Sequence, residues 1–457
     1  MKRVGLGWVC GASVLAMVLM GGGSALAADS TTTTGATATT GSAASASTNG
    51  NAKAAKVVKN DPLNGTPGSG LTRGVTSSSI KVGCYLTAQA FQGADDGFKA
   101  RFERANKNKE LPGGRTIDLS ACQDDGNNPQ TNLQIIQKLT QQEGDFAIVG
   151  ISPNLLTAST DFVARSQVPT YGWGILPGTC GNRWFFGFNG CLVTNYPGKK
   201  HTVYQANLAL GPIEATGQTP AESKFALQAQ DNDSGHSGNE TISQLVKLEG
   251  AKVVYQEANI PASSAGVSFT PFVQAITAAN PNILLTLTDF QTAPGLTAAM
   301  TAGGYTGANV NYVGYIPGLL GTSAQLASAF NGAYVSSQTV PAEQNTPYIK
   351  QMQKDLTAVN AKTGSFVTLA NSIAYAEADL MVSQLKAAGK TLNTKTFDQA
   401  INNGNYTYKS SAAGGQGQME FPSMHFIPAD CASMLKIEGT TYKQIVPFKC
   451  YPSLVKK

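Results

Sequence analysis

Histidine is nearly missing from this chain. Three occur in 457 residues, His201, His236 and His425, and they stand too far apart to form a metal cluster of the usual spacing. Charge of one sign is also lacking. Lys and Arg number 33 against 28 Asp and Glu, a formal +5. Setting aside Lys2 and Arg3 of residues 1–27 leaves 5 − 2 = +3. A charge so mild, on basic residues so dispersed, argues against nucleic acid or an anionic membrane surface as partner. The apolar run Val4 to Met20 stops short of 18 residues and ends in GGGSALA, so a membrane-spanning anchor is not expected. No two cysteines stand as C-x-x-C, which argues against a redox or zinc site. The reading carries no cofactor and no metal.

Complete catalytic motifs are lacking too. Gly235-His236-Ser237-Gly238 starts like a nucleophile elbow, but the fifth position is Asn239, and the only later histidine is His425. Asp231-Asn232-Asp233 starts like a calcium loop, but His236 and Ile242 stand where Gly and Glu are needed. Gly172-Trp173-Gly174 has Pro177 where a dinucleotide fingerprint has its third Gly. Gly389-Lys390-Thr391 ends like a P-loop, but position 384 is Gln. Asp124-Asp125 is read as a strand-ending pair that caps a turn, with paired catalytic carboxylates as the alternative.

Two features at the start point outside the cell. MKR, an apolar stretch and Ala25-Leu26-Ala27 make an export signal over residues 1–27. Gly7-Trp8-Val9 before Cys10 does not match a lipobox. Residues 28–78 are mostly Thr, Ser, Ala, Gly and Asn, too poor in large apolar side chains to offset ordering entropy, and are expected to be a disordered tether. The mature chain then holds six cysteines, an even number suited to disulfides in an exported protein. Six allow 15 connectivities. Their order along neighbouring elements favours Cys84–Cys122, Cys180–Cys191 and Cys431–Cys450.

From Ile80 the pattern is regular. IKVGCYL alternates Ile80, Val82 and Cys84; DDGFKARFERAN places Phe98, Phe102 and Ala105 at helical spacing; RTIDLSACQDD is a second strand; Pro129 opens a helix with Leu133, Ile136 and Leu139; DFAIVG is a covered strand. Strand, helix, strand, helix, strand predicts parallel strands with crossover helices. Ligands then bind beyond the carboxyl ends of the strands, at Thr87–Gly93, Asp124–Asn128 and Ile151–Asn154. A helix from about Leu155 precedes VPTYGW, a fourth strand, and Cys180 to Cys191 encloses WFFGF in a closed loop or hairpin. A second copy of the plan follows: a helix near Thr202–Leu210, the strand KFALQAQ, the polar loop DNDSGHSG, a helix over Glu240–Leu248, then KVVYQEANI, NILLTLT and VNYVGYI as strands with helices between. GAYVSSQTV is a strand and Thr346–Lys362 and Val367–Ala388 are helices. GQMEF, CASMLKIE and YKQIVPFKC make a terminal meander.

IKVG, GFKARFERAN, LPGGRTIDL with QDDGNNP, and QKLTQQEGDFAIVG, followed by SQVPTYGWG, KFALQAQDND, AGGYTG at Ala302–Gly307 and the GQMEF hairpin, resemble the type I periplasmic binding proteins. The nearest group is the leucine/isoleucine/valine-binding receptors of ABC transporters, and the likeness runs from Ser79 to the C-terminus. It implies an α/β fold of two doubly wound parallel-sheet lobes joined by three crossing hinge segments, with ligand in the cleft. Mapped here, lobe one is 79–191 plus 316–410 and lobe two is 192–315 plus 411–457. The implied role is an exported, monomeric, non-enzymatic receptor that closes on a small molecule and meets the membrane subunits of a transporter. A ligand sensor for a membrane receptor is the alternative; an exported hydrolase using Ser237 or the Asp124/Asp125 pair is the more distant one.

Carried over by position, the ligand loops become Ser152-Pro153-Asn154, Tyr171-Gly172-Trp173, Ser234-Gly235, and Asp289 or Gln291. The resemblance's clamp for an α-amino acid is not intact. Phe91, Tyr171 and Trp173 are expected either to offer aromatic faces to the ligand or to pack the lobe core. Gln92, Ser152, Asn154 and Asp289 would orient its polar groups. The ligand classes implied are amino acid-like, amide, or aromatic or apolar carboxylate.

Overall fold

The computed structural model describes residues 63–191, 202–261, 266–289, 292–404, 406–409, 418–451 and 454–456. The expected signal peptide, and the tether as far as residue 62, lie outside the described residues.

The chain winds its first sheet from β1 (Ser79–Leu86), α1 (Ala94–Lys107), β2 (Thr116–Leu119), β3 (Gln123–Asp124), α2 (Pro129–Gln137), β4 (Ala147–Ile151), α3 (Thr157–Ser166), β5 (Thr170–Gly172) and β6 (Phe185–Gly187). The strand order is β2-β1-β4-β5-β6 with β3 extending the β2 edge of β1, and every pairing is parallel. WFFGF is therefore a parallel strand and not a hairpin. Each face is covered: Val82, Cys84 and Val149 pack into one apolar cluster with α1, while Tyr85 and Ile148 pack into another with Ile136 of α2 and Val163 of α3.

The second sheet is built from β7 (Thr202–Tyr204), α4 (Asn207–Ala215), β8 (Lys224–Gln230), α5 (Asp233–Leu248), β9 (Lys252–Ile260), α6 (Thr270–Ala278), β10 (Ile283–Leu287), α7 (Thr292–Ala302), β11 (Ala308–Asn311), α8 (Pro317–Leu320), α9 (Ala324–Phe330) and β12 (Tyr334–Ser337). The chain returns to the first lobe for α10 (Pro347–Ala358), α11 (Leu369–Ala388), α12 (Thr394–Ile401), β13 (Thr407–Lys409) and β14 (Gln418–Glu420). It ends with β15 (Cys431–Glu438), β16 (Thr441–Cys450) and β17 (Leu454–Lys456). The sheet order is β16-β15-β12-β11-β10-β8-β9, parallel from β12 to β9 and antiparallel at β15 and β16; β7 pairs with β17 apart from it.

Several boundaries differ from the sequence reading. β12 hydrogen-bonds to β11 in the second sheet, so residues 316–337 belong there and the middle crossing falls near Gln338. GQMEF leaves the terminal meander: β14 pairs with β13, and His425 just beyond it is held by Phe185 O of β6 at 2.9 Å, which keeps 418–426 with the first lobe. Local propensity cannot choose between two sheets that both offer edges. Residues 202–204 are a strand, and the DNDSGHSG loop is the first turn of α5, because Asn232 caps it by accepting from Gly235 N–H at 2.7 Å.

The expected tether also stops early, since residues 63–74 are bound to the first lobe. Trp184 Nε1–H donates to Thr66 O at 2.8 Å, Gly68 N–H to Asp398 Oδ2 at 2.9 Å, and Arg73 to Asp145 O and Gln167 O. Here the segment gains partners by hydrogen bonding, a route that poverty in apolar residues does not exclude. Among the described residues no helix is long and apolar enough to cross a membrane.

Three disulfides join Cys84 to Cys122, Cys180 to Cys191 and Cys431 to Cys450, the pairing that element order favours. Peptide mapping without reduction should recover those three linked pairs. A free thiol at any of the six, or a bridge joining them in any other pairing, would contradict the fold's register at β1, β6 or the β15–β16 hairpin.

Candidate functional site

The carboxyl ends of the two sheets' strands face one another across a cavity of about 160 Å³. That is on the scale of the roughly 150 Å³ apolar cavity that admits a benzene ring. From the first lobe come Gln89, Ala90 and Phe91 after β1, Asn127 after β3, Pro153 after β4, and Trp173 and Ile175 after β5. From the second come Asn232 and Ser234 after β8, Thr288 and Asp289 after β10, and Tyr312 and Val313 after β11. Gln205, between β7 and α4, and Gln338, directly after β12, also line it. These are the positions where open parallel sheets place ligands.

The aromatic wall is fixed by its neighbours. Phe91 meets Trp173 edge-on, centroids 6.1 Å apart. Trp173 Nε1–H donates to Gln338 Oε1 at 3.0 Å, which also accepts from Asn189 Nδ2 at 3.5 Å. Both rings also border the lobe core, so the cleft and core readings meet at one place. Tyr171 is different. It is fully buried, stacks on Phe186 at 5.4 Å, and donates its hydroxyl to Gln384 Oε1 of α11 at 2.6 Å. It belongs to the core. Tyr171 and Trp173 share a strand face, but α11 covers β5 only as far as its end at Gly172, and Trp173 stands one step past it.

On the opposite wall Gln230 and Asp289 bond each other. Gln230 Nε2 donates to Asp289 Oδ2 at 2.9 Å and Asp289 N–H to Gln230 Oε1 at 3.1 Å. Asp289 Oδ1 accepts from Thr292 N–H at 2.7 Å at the start of α7. Gly235 is required where it stands: a Cβ there would collide with Gln230 O, so only glycine lets α5 start this close to β8. Asp289 is the one charged group among the described residues that line the cavity; the other polar lining is amide and hydroxyl.

Ser152 and Asn154 do not line it. Both are buried and turned toward Asp125, a buried carboxylate that must be compensated by hydrogen bonds. Asp125 accepts from Thr87 Oγ1 at 2.7 Å, Asn127 N–H at 3.0 Å, Asn132 Nδ2 at 3.1 Å and Ser152 Oγ. Asn154 N–H donates to Ser152 Oγ at 2.9 Å. The Ser152 and Asn154 side chains expected to orient a ligand instead help tie the loops after β1, β3 and β4 together, which is the structural reading of Asp124-Asp125. Gln92 is exposed and lies outside this cavity, on the wall of a neighbouring hollow. Gln291 lies outside the described residues. Phe91, Trp173, Ser234 and Asp289 are thus brought together, while Tyr171, Ser152, Asn154 and Gln92 are not.

Sequence reasoning missed Gln205, Gln230, Leu208, Tyr312 and Gln338. Tyr312 directly follows β11, and Gln338 directly follows β12; that position was their signal. Gln205 carries none, because it lies between β7 and α4, and Leu208 carries none, because it is one of several apolar residues of α4. Ser237 sits in the first turns of α5. The imidazole of His425 is buried, with Nδ1 on Phe185 O and Nε2 on Asn402 Oδ1 at 2.8 Å, and burial holds its pKa down to about 3. It is placed to brace β6 rather than to serve as a base for Ser237.

A sequence model described as periplasmic binding protein matches residues 86–440. No protein of curated function matches the chain by sequence. Among solved structures, the chain is similar to an ABC transporter solute-binding protein from R. palustris in complex with 4-hydroxybenzoate: 18% identity, 82% of this chain and 98% of that one, TM-score 0.65. It is similar to a fatty acid ABC transporter substrate-binding protein from Thermomonospora curvata (16%, 83% and 95%, TM-score 0.66). It is also similar to a branched chain amino acid ABC transporter protein from Thermus thermophilus with bound valine (13%, 82% and 98%, TM-score 0.66). At these identities the likeness is one of fold.

Proposed function

This chain belongs to the periplasmic binding protein family, and from that premise we propose that it is the extracytoplasmic receptor of an ABC-type uptake system. It binds a small organic molecule without altering it. The observation that carries this is a cavity walled by strand ends of both sheets, Phe91 and Trp173 on one side, Ser234 and Asp289 on the other. A guest touching both walls favours the closed arrangement by its differential affinity for it, the hinge closure that periplasmic binding proteins exemplify. The segments at Gln205 and Gln338 then act as hinge, and the closed form is what membrane subunits would recognise.

The 4-hydroxybenzoate and valine in structural relatives, and the fatty acid in the name of a third, support a small and largely apolar guest. Apolar burial against Trp173, Leu208, Ile242 and Tyr312 supplies roughly 25 cal/mol per Å², and the amides of Gln230, Gln205 and Gln338 select its polar atoms. Native mass spectrometry of protein purified without denaturation should show a bound small molecule. Calorimetric titration of that molecule should be roughly 10- to 100-fold weaker with Trp173→Ala. An unchanged affinity removes Trp173 from the site, and recovery of a chemically altered guest overturns the receptor reading.

A further inference from the structure

Beside the cavity lies a second, larger hollow of about 830 Å³. Gln89, Ala90, Phe91 and Val313 stand in the walls of both, so the two adjoin at the Phe91 ring. The far wall is apolar: Leu86 and Leu369 from the first lobe, Ile316 and Leu319 from the second, and Phe366 at the rim. Phe366 is 54% exposed. It sits on the loop before α11 and lies against Gly318 of α8, where an added Cβ would come within 3.0 Å of its ring. The ring thus spans from one lobe to the other as the edge of a continuous apolar lining, not as an isolated surface residue.

The charged groups of this hollow are already engaged. Lys362 Nζ pairs with Asp95 Oδ2 at 2.7 Å. Asp124 Oδ1 accepts from Ala88 N–H and Gly126 N–H, each at 3.0 Å. A methylene chain would meet Phe91, Val313, Ile316, Leu319 and Phe366 of the apolar lining.

Building on the receptor reading, we propose that the ligand is a two-part molecule: a ring-sized head with uncharged hydrogen-bonding groups in the inner cavity, and an uncharged alkyl extension passing Phe91 into the outer hollow. Because the extension touches Ile316 and Leu319 as well as Leu86 and Phe366, it adds a second set of contacts that bridge the lobes.

Benzamide and its para-ethyl, para-butyl and para-hexyl derivatives test this by calorimetry, in wild type, Trp173→Ala and two outer-hollow variants. Affinity should climb up the series by roughly three- to fourfold per buried methylene. Leu319→Trp, which narrows the hollow beside Phe91, should flatten that climb; Phe366→Ala, at an exposed position, should weaken the para-hexyl compound at least threefold. If benzamide binds and depends on Trp173 while the wild-type series stays flat or falls, the extension is refuted and the receptor reading stands. If no member binds, the two-part ligand is refuted and the aromatic head with it.

Discussion

Replacing Asp398 with alanine should destabilise the protein by roughly 3–5 kcal/mol, the range for breaking a buried ion pair from one side. Asp398 sits on α12 and Arg183 just before β6, and both side chains are buried. Arg183 Nη1 donates to Oδ1 at 2.9 Å and to Oδ2 at 3.1 Å; Gly68 N–H and Asn402 Nδ2 donate to the same carboxylate at 2.9 and 2.8 Å. The substitution therefore takes the facing carboxylate from a buried guanidinium and the acceptor from a buried N–H. It also loosens the N-terminal strap from the first lobe. Chemical denaturation followed by Trp184 fluorescence measures the loss. The double variant Arg183→Met with Asp398→Leu should recover most of it, because apolar pairs of similar volume replace buried ion pairs at little net cost. A single variant within 1 kcal/mol of wild type, on the order of the exposed-pair range, would show that the pair contributes nothing special.

The opposite sign is expected at Glu377. This α11 side chain is fully buried, and neither carboxyl oxygen has a hydrogen-bond partner among the described residues. Burial pushes its pKa well above the ordinary carboxylate value, so it stays protonated in the folded protein. At low pH both states hold the proton and the group has no effect on the balance. As pH rises past the ordinary carboxylate pKa, the unfolded chain releases its proton and the folded one does not, so stability falls until the folded pKa is reached. The slope is roughly 1 kcal/mol per pH unit. Glu377→Met keeps the volume and removes the titration. It should be more stable than wild type by an amount that grows as pH rises above the ordinary carboxylate range. Asp145 and Asp430, whose pKa values burial raises to about 6, titrate in both proteins and cancel in the difference. A gain that does not change with pH would place the effect in packing instead.

The alternation in IKVGCYL, the Phe98–Phe102–Ala105 stripe and the apolar run DFAIVG were enough to read β1, α1 and β4, because each pattern reports which side of an element is covered. Cysteine order along those elements was enough for the disulfide pairing. Strand ends can be read from where such patterns stop, and so Ser234 and Asp289 were legible as cleft residues, and Phe91 and Trp173 as residues of either cleft or core. Their neighbours were not. Whether Ser152 faces a ligand or a carboxylate depends on Asp125, a residue of another strand, and whether Tyr171 is wall or core depends on how far α11 reaches along β5. The side to which 316–337 and 418–426 fall was equally a matter of long-range hydrogen bonding, with β11 and with β6. Period and composition are properties of one segment and were decided locally; partners belong to two segments at once, and only the tertiary structure could choose them.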